Sequence, residues 1–164
     1  MQHNTHTSQS PHQRMSLGPI ATKLKHFFQS PSISPREHRI VIELHNVGID
    51  HYQRLGPEGQ VLFALLRPNE HIGGVLYGHH ETGTALMVAT NQRLMFIDKK
   101  PFFLKIDEIG YESLHAVNYE NIGFLATVTL LSSGQDYRMR TNHLKSAQEF
   151  VQYVELKSLE QPGS

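Results

Sequence analysis

The chain is predicted to be mainly β with helices at either end: a seven-stranded antiparallel barrel or sandwich, entered through an N-terminal helical lead-in and capped by a C-terminal α-helix. Three observations carry this expectation. Residues 71–141 fall into short β-favouring runs separated by turn residues. Residues 142–159 place Leu144, Ala147, Val151 and Val154 at intervals of three, four and three, which is one face of a helix. Between them, the ribbon at 85–98, ALMVATNQRLMFID, is apolar on both of its faces.

The chain opens on a different composition. Residues 1–36 are rich in His, Ser, Gln and Thr and carry Arg14, Lys23, Lys25 and Arg36 with no acid, so they are expected to form a disordered basic tail. The rest holds eleven basic residues against fifteen acidic ones. Residues 37–67 read as a lead-in that packs on the sheet. Ile40, Val41 and Ile42 suit a strand, whereas Ile40, Leu44 and Val47 recur at helical spacing; helix is favoured over 40–55 and strand remains the alternative. Gly56-Pro57-Glu58 supplies a helix start and Pro68 a stop, which predicts a short helix over 57–66.

Residues 68–160 form the main domain. HIGGVLYG (71–78) reads as a strand whose glycines permit a bend or bulge, followed by the loop HHETG. The ribbon supplies strands at 84–90 and 93–98, and FFLKID, ESLHAVNYE, FLATVTLLS and YRMRT supply four more. With Asn91-Gln92 as a two-residue turn, Leu86 faces Ile97, Met87 faces Phe96, Val88 faces Met95 and Ala89 faces Leu94. A strand with a wet side should alternate with polar residues, so a second cover is required. At about 1.5–3 kcal/mol for each shielded side chain, a wet face would forfeit stability on the scale of a whole domain's. The candidates for the cover are the C-terminal helix, the 40–66 segment and another copy of the chain, of which the 40–66 segment is favoured. Met87, Ala89, Leu94 and Phe96 mark the face expected to be covered or to serve as an interface.

Seven antiparallel strands followed by one helix is the order of a pleckstrin-homology-like (PH-like) barrel. The runs LLRPNEHIGG, TALMVATNQRLMFIDKK, IDEIGYESLHAV and KSAQEFVQYV also resemble the bacterial PH-like domains, in particular those called YokE-like. The resemblance covers about 65–157. It rests on Glu70 before the first strand, the hairpin Thr90-Asn91-Gln92-Arg93-Leu94, and the pair Tyr111-Glu112 leading into the fifth strand. These are turn and packing motifs, so the resemblance implies fold rather than chemistry. The tryptophan of the final helix of eukaryotic PH domains is absent, and Phe150 and Val151 stand in its region.

Composition narrows the function classes. There is no cysteine, hence no disulfide framework, thiolate metal site or cysteine nucleophile, and the cytoplasm is the expected location, with peripheral membrane contact as the variant. No run of about 18 apolar residues is present. No G-x-S-x-G, H-E-x-x-H or phosphate-cradling glycine pattern occurs, so no enzyme activity and no cofactor are expected. His71, His79, His80, Glu70 and Glu81 form the densest group of potential metal ligands, but adjacent His79 and His80 point to opposite faces of a strand, and no metal is expected. Arg138 and Arg140 alternate with Tyr137 and Met139 as the wet face of a last strand, and with the acidic excess of the body they argue against a nucleic-acid partner.

What remains is a binding or scaffolding module. Its first expected form is protein contact with an unknown partner or with itself. The alternative is weak binding to an anionic membrane through Lys99, Lys100 and Phe102, with Phe103 turned to the core. The loop GHHETGT holds no Lys or Arg where eukaryotic PH domains gather cations for inositol phosphates.

Overall fold

The computed structural model describes residues 34–160; up to residue 33, the expected tail lies outside them. Helix α1 (Pro35–Asn46) starts ahead of the expected boundary at Glu37, because Ser34 and Glu37 close a capping box. The Glu37 amide donates to Ser34 Oγ at 3.2 Å and the Ser34 amide donates to Glu37 Oε2 at 2.9 Å. The helical spacing prevails over the β-branched run: Ile40 and Leu44 are fully buried while Ile42 faces solvent. The helix stops at Gly48, whose φ of 86° lets its own amide reach the His45 carbonyl and the next amide reach that of Leu44. A 3₁₀ turn (Tyr52–Leu55) leads into α2 (Gly56–Leu65), one residue from its predicted span at each end.

The strands follow as β1 (Ile72–His80), β2 (Gly83–Thr90), β3 (Leu94–Lys100), β4 (Phe103–Ile109), β5 (Leu114–Ile122), β6 (Leu125–Ser132) and β7 (Tyr137–Thr141), then helix α3 (Leu144–Leu159). All seven lie in one antiparallel sheet in the order β4-β3-β2-β1-β7-β6-β5. Seven antiparallel strands followed by a C-terminal helix is the expected PH-like architecture, and the sheet is not closed: the outer strands β4 and β5 are not paired with each other. The chain passes between them through a 3₁₀ turn (Tyr111–Ser113) instead of a ladder, and the buried Tyr111 ring fills the gap. β1 meets β7 through the single registered pair His79 and Arg140. Glycine is required there, because a Cβ on Gly78 would sit 2.2 Å from the Arg140 carbonyl oxygen. At Gly73 a Cβ would strike the Tyr153 ring of α3, and the register of β1 slips between Ile72 and Gly74, the bulge its glycines predicted.

The β2–β3 register is the one deduced from the Asn91-Gln92 turn: Leu86 with Ile97, Met87 with Phe96, Val88 with Met95 and Ala89 with Leu94. Both faces are buried, in two separate cores. Met87, Ala89, Leu94 and Phe96 join Phe150, Val151 and Val154 of α3 and Val128, Leu130 and Met139 of β6 and β7. Leu86, Val88, Met95 and Ile97 join Ile40, Leu44, Leu55, Leu62 and Leu66 of the lead-in. The 40–66 segment is therefore the cover on this second face. Met87, Ala89, Leu94 and Phe96, all at most 2 % exposed, lie on the α3 side and are not available as an interface. Strand parity fixes which residues share a face; with both faces apolar it cannot fix which turns inward.

Leu62 is the deepest contact of α2 in the lead-in core, with no exposed surface. Leu62→Ala should lower the unfolding free energy by about 2–5 kcal/mol with an unchanged denaturant slope, read by urea titration.

Candidate interaction surface

The predicted loop lies at the end of the β3–β4 hairpin, and the structure separates its members. Phe102 is 100 % exposed. Lys100 folds back: its Nζ donates to Asp98 Oδ1 and to the Thr84 carbonyl, each at 2.5 Å, and stands 3.8 Å from Glu58 Oε1. Asp98 and Glu58 are both buried, and Asp98 also accepts from the Thr82 hydroxyl. Burial by itself would raise the Asp98 carboxyl, but Lys100 and Thr82 more than offset it and hold the group below its ordinary range. Lys99 donates its backbone amide to Glu58 Oε1 at 3.4 Å, and its half-buried side chain makes no hydrogen bond or ion pair among the described residues. Phe103 does not turn to the core. It is 44 % exposed and Leu104 46 %, because β4 is an outer strand of an open sheet and its start has no covering layer.

The motif residues form a buried polar knot. Glu70 is fully buried and takes a two-pronged contact from Arg93, Nε to Oε1 at 2.8 Å and Nη2 to Oε2 at 2.9 Å. Thr90 Oγ1 donates to Glu70 Oε1 at 2.9 Å and the Arg67 amide to Oε2 at 3.0 Å. Arg93 also pairs with Glu108 of β4 through Nη1, and the Tyr111 hydroxyl donates to the Thr90 carbonyl at 2.5 Å. Burial pushes the Tyr111 phenol up. Desolvation opposes the Glu70 charge, yet Arg93, the Arg67 amide and Thr90 outweigh it, so its carboxyl titrates below the ordinary 4.5. Every strong donor and acceptor in the knot faces a partner inside the protein. It pins the loop before β1, the β2–β3 turn and the start of β5 together, and it offers nothing to a ligand.

Two of the three histidines in the predicted ligand group are likewise engaged in structure. His71 Nδ1 lies 2.7 Å from Glu43 Oε1, and His80 Nδ1 lies 2.9 Å from the Arg138 carbonyl. Among the described residues no three His, Asp or Glu side chains are grouped to hold a metal ion, and no helix is long and apolar enough to cross a membrane.

Large exposed apolar side chains gather at two hairpin ends. Beside Phe102, Phe103 and Leu104 at one hairpin, Ile122 is 81 % and Phe124 76 % exposed at the β5–β6 hairpin, around Gly123 with φ 62°. Reading FLATVTLLS as a strand that begins at Phe124 left this second cluster unseen. Its signal was Ile-Gly-Phe at a turn, where the left-handed glycine fixes a tight bend and the flanking positions are ordinarily polar.

Arg93→Met should cost about 3–5 kcal/mol in urea unfolding, because it leaves the Glu70 carboxylate buried without its cation; adding Glu70→Gln should recover part of that loss. Glu70, Asp98 and Glu43 all titrate lower in the folded chain than in the unfolded one. On acidification the unfolded chain takes up protons first. Their contribution is therefore complete above the ordinary glutamate value of 4.5 and declines as pH falls through the lower folded values. Unfolding midpoints measured from pH 7 downward should hold near neutrality and drop steeply below that value.

No curated protein matches the chain. Among solved structures, the chain is similar to a DUF1696 family protein with a pleckstrin-homology domain from Shewanella loihica. The two are 18 % identical, with 63 % of this chain and 93 % of that one covered, at a TM-score of 0.41. It is also similar to the Vps36 N-terminal PH domain, at 16 % identity, 58 % and 87 % coverage and a TM-score of 0.41. The model of the family described as Bacterial PH domain matches residues 66–155, which takes in the polar knot, all seven strands and most of α3. That match spans more than half of the 164 residues, and the chain belongs to the bacterial PH domain family.

Proposed function

We propose that the chain is a non-catalytic binding module that works through protein contact, with self-association as its first form. The observation that carries this reading is the placement of the large exposed apolar side chains. Phe102, Phe103 and Leu104 stand at one outer hairpin and Ile122 and Phe124 at another, each beside an outer strand of an open sheet. Clusters of this kind mark contact sites on otherwise polar surfaces, and unpaired strand edges add backbone donors and acceptors. A β4 edge meeting a β5 edge of a second copy would be a head-to-tail contact, which builds rings or open chains rather than a two-fold dimer. The family background agrees, since PH domains are generally non-catalytic modules that bind proteins or lipids.

Binding to an anionic membrane is the second reading, and the fully exposed Phe102 beside Lys99 favours it. Its electrostatic part is thin: Lys100 is held by Asp98 and the Thr84 carbonyl, and one remaining lysine contributes only about 1 kcal/mol at a charged surface.

Size-exclusion chromatography with light scattering on the full chain separates these readings. The wild type should run above its 18.7 kDa monomer mass, and Phe102→Asp with Phe124→Asp should return it to that mass, since both side chains are exposed and neither change disturbs a core. A wild type that stays monomeric at all concentrations overturns self-association. Co-sedimentation with phosphatidylserine vesicles tests the membrane: salt-sensitive pelleting that is lost in Lys99→Glu with Phe102→Ser supports it, and absence of pelleting at every lipid fraction removes it.

A further inference from the structure

We propose that the cleft between the lead-in and the start of α3 binds a small organic oxyanion, with the charged head toward Arg54 and an apolar body in the cavity, and that the cleft becomes positive to receive it as pH falls. The inference is independent of the contact reading above, which uses other residues.

The lead-in and α3 cover opposite faces of the sheet and come together beside β1. A Cβ on Gly48 would lie 3.1 Å from Ser146 Oγ, so the connection after α1 stands against the first turn of α3. Around that contact the two elements and β1 leave a cavity of about 160 Å³. Ile49, Leu55, Val75 and Leu76 give it an apolar lining, and His51, Arg54, His143 and Ser146 give it donors. The volume is below the roughly 300–1,000 Å³ of clefts for drug-sized ligands, which limits the occupant to a small body. A more polar hollow continues along the same seam, sharing Asp50 and His143 and adding His45, Lys145 and Glu149. His45 to Arg54 lie ahead of residue 66, where the family match begins, so the lead-in half of this site is an addition of this chain.

The local backbone gathers the donors. In the 3₁₀ turn the Arg54 amide donates to the His51 carbonyl at 2.9 Å, and side chains three apart in such a turn stand on one side. Arg54, His51 and His143 are exposed, and among the described residues their side chains make no hydrogen bond or ion pair. The fixed charges of the seam cancel: Arg54 and Lys145 stand against Asp50 and Glu149, with Lys145 Nζ 3.6 Å from Glu149 Oε1. Histidine therefore sets the sign. His45 of α1, His51 of the connection and His143 ahead of α3 take the lining from no net charge to three positive charges when all are protonated. His45 Nε2 lies 3.7 Å from Asp50 Oδ1, so its protonation also offsets the one acid that lines the cavity itself. Tyr77 of β1 completes the titratable groups of the seam. Histidine is the side chain whose ordinary titration falls between about pH 5 and 8, which makes the site acid-gated.

Benzoate is the probe, because its own charge is constant over that range; benzyl alcohol supplies the body without the charge and acetate the charge without the body. Titrated into the isotope-labelled full chain at constant ionic strength, benzoate should shift the amide resonances of residues 48–54 and 143–146 saturably. It should bind about tenfold more tightly at about pH 6 than at about pH 7.5, since each added positive charge is worth up to about fivefold at an exposed site. Benzyl alcohol and acetate should each bind more weakly. Arg54→Gln should weaken benzoate up to about fivefold at either pH, and His143→Gln should weaken it at the lower pH and flatten the pH dependence. Both positions are exposed, so the fold stands in these variants. Binding that ignores pH, benzyl alcohol binding as tightly as benzoate, shifts that fall outside the seam, or no response to Arg54→Gln would each overturn the proposal.

Discussion

Burial of both faces of the β2–β3 hairpin is the constraint on which the rest of the molecule depends. A hairpin whose two sides carry Met87 and Phe96 on one and Leu86 and Ile97 on the other cannot rest one side on a core and expose the other without forfeiting a domain's worth of stability. The chain answers with two covers from opposite ends of the sequence. Helix α3 closes one side, packing so near to β1 that Gly73 leaves room only for the Tyr153 ring. The lead-in closes the other with Ile40, Leu44, Leu55 and Leu62. With both sheet faces engaged at this hairpin, the surfaces left for a partner are edges, turns and the flank of α3.

Polar contacts hold the lead-in in place where apolar packing would not define its position. Glu43 of α1 accepts from the Ile72 amide at 3.0 Å, from Arg39 at 2.8 Å and from His71 at 2.7 Å, so a lead-in carboxylate completes an amide at the start of β1. Arg39 reaches the Glu70 carbonyl at 2.9 Å and Arg36 reaches that of Leu66 at 2.5 Å. The Glu70–Arg93 knot begins at the same place. Hydrophobic burial is non-directional, whereas these bonds have one geometry, and together they fix the register between lead-in, first strand and β2–β3 turn. Glu70, Thr90 and Arg93, which carry the sequence resemblance, are thereby accounted for as a joint between elements.

Much of this was legible from local chemistry. The Asn91-Gln92 turn fixed four cross-strand pairs, since hairpin register follows from the turn, and the α3 face followed from its spacing. Three features were not legible, for different reasons. The inward face of the ribbon could not be assigned, because parity is silent when both faces are greasy. The fate of Lys100 depended on Glu58, forty-two positions earlier and brought near by the packing of α2, so a loop that reads as two cations and two aromatics has one of its cations bound from within. Phe103 was assigned inward as if the strand had two neighbours, whereas the open sheet leaves β4 with one.

The inward pull on Lys100 also bears on the kind of contact proposed for this fold. A headgroup site needs several cations free to converge on phosphate, and each contributes only about 1 kcal/mol at a membrane surface. Here the β1–β2 loop carries Glu81 and no Lys or Arg, Lys100 is committed to two buried carboxylates, and Lys105 pairs with Asp107. The basic residues of this end of the sheet are therefore largely neutralised from within, while the apolar side chains around them stay open to solvent. An apolar tip without a ring of cations has more to gain from another protein's surface than from a charged bilayer. Under the proposed protein contact, the neutralised loop leaves exposed apolar area as the main source of affinity at this end of the sheet.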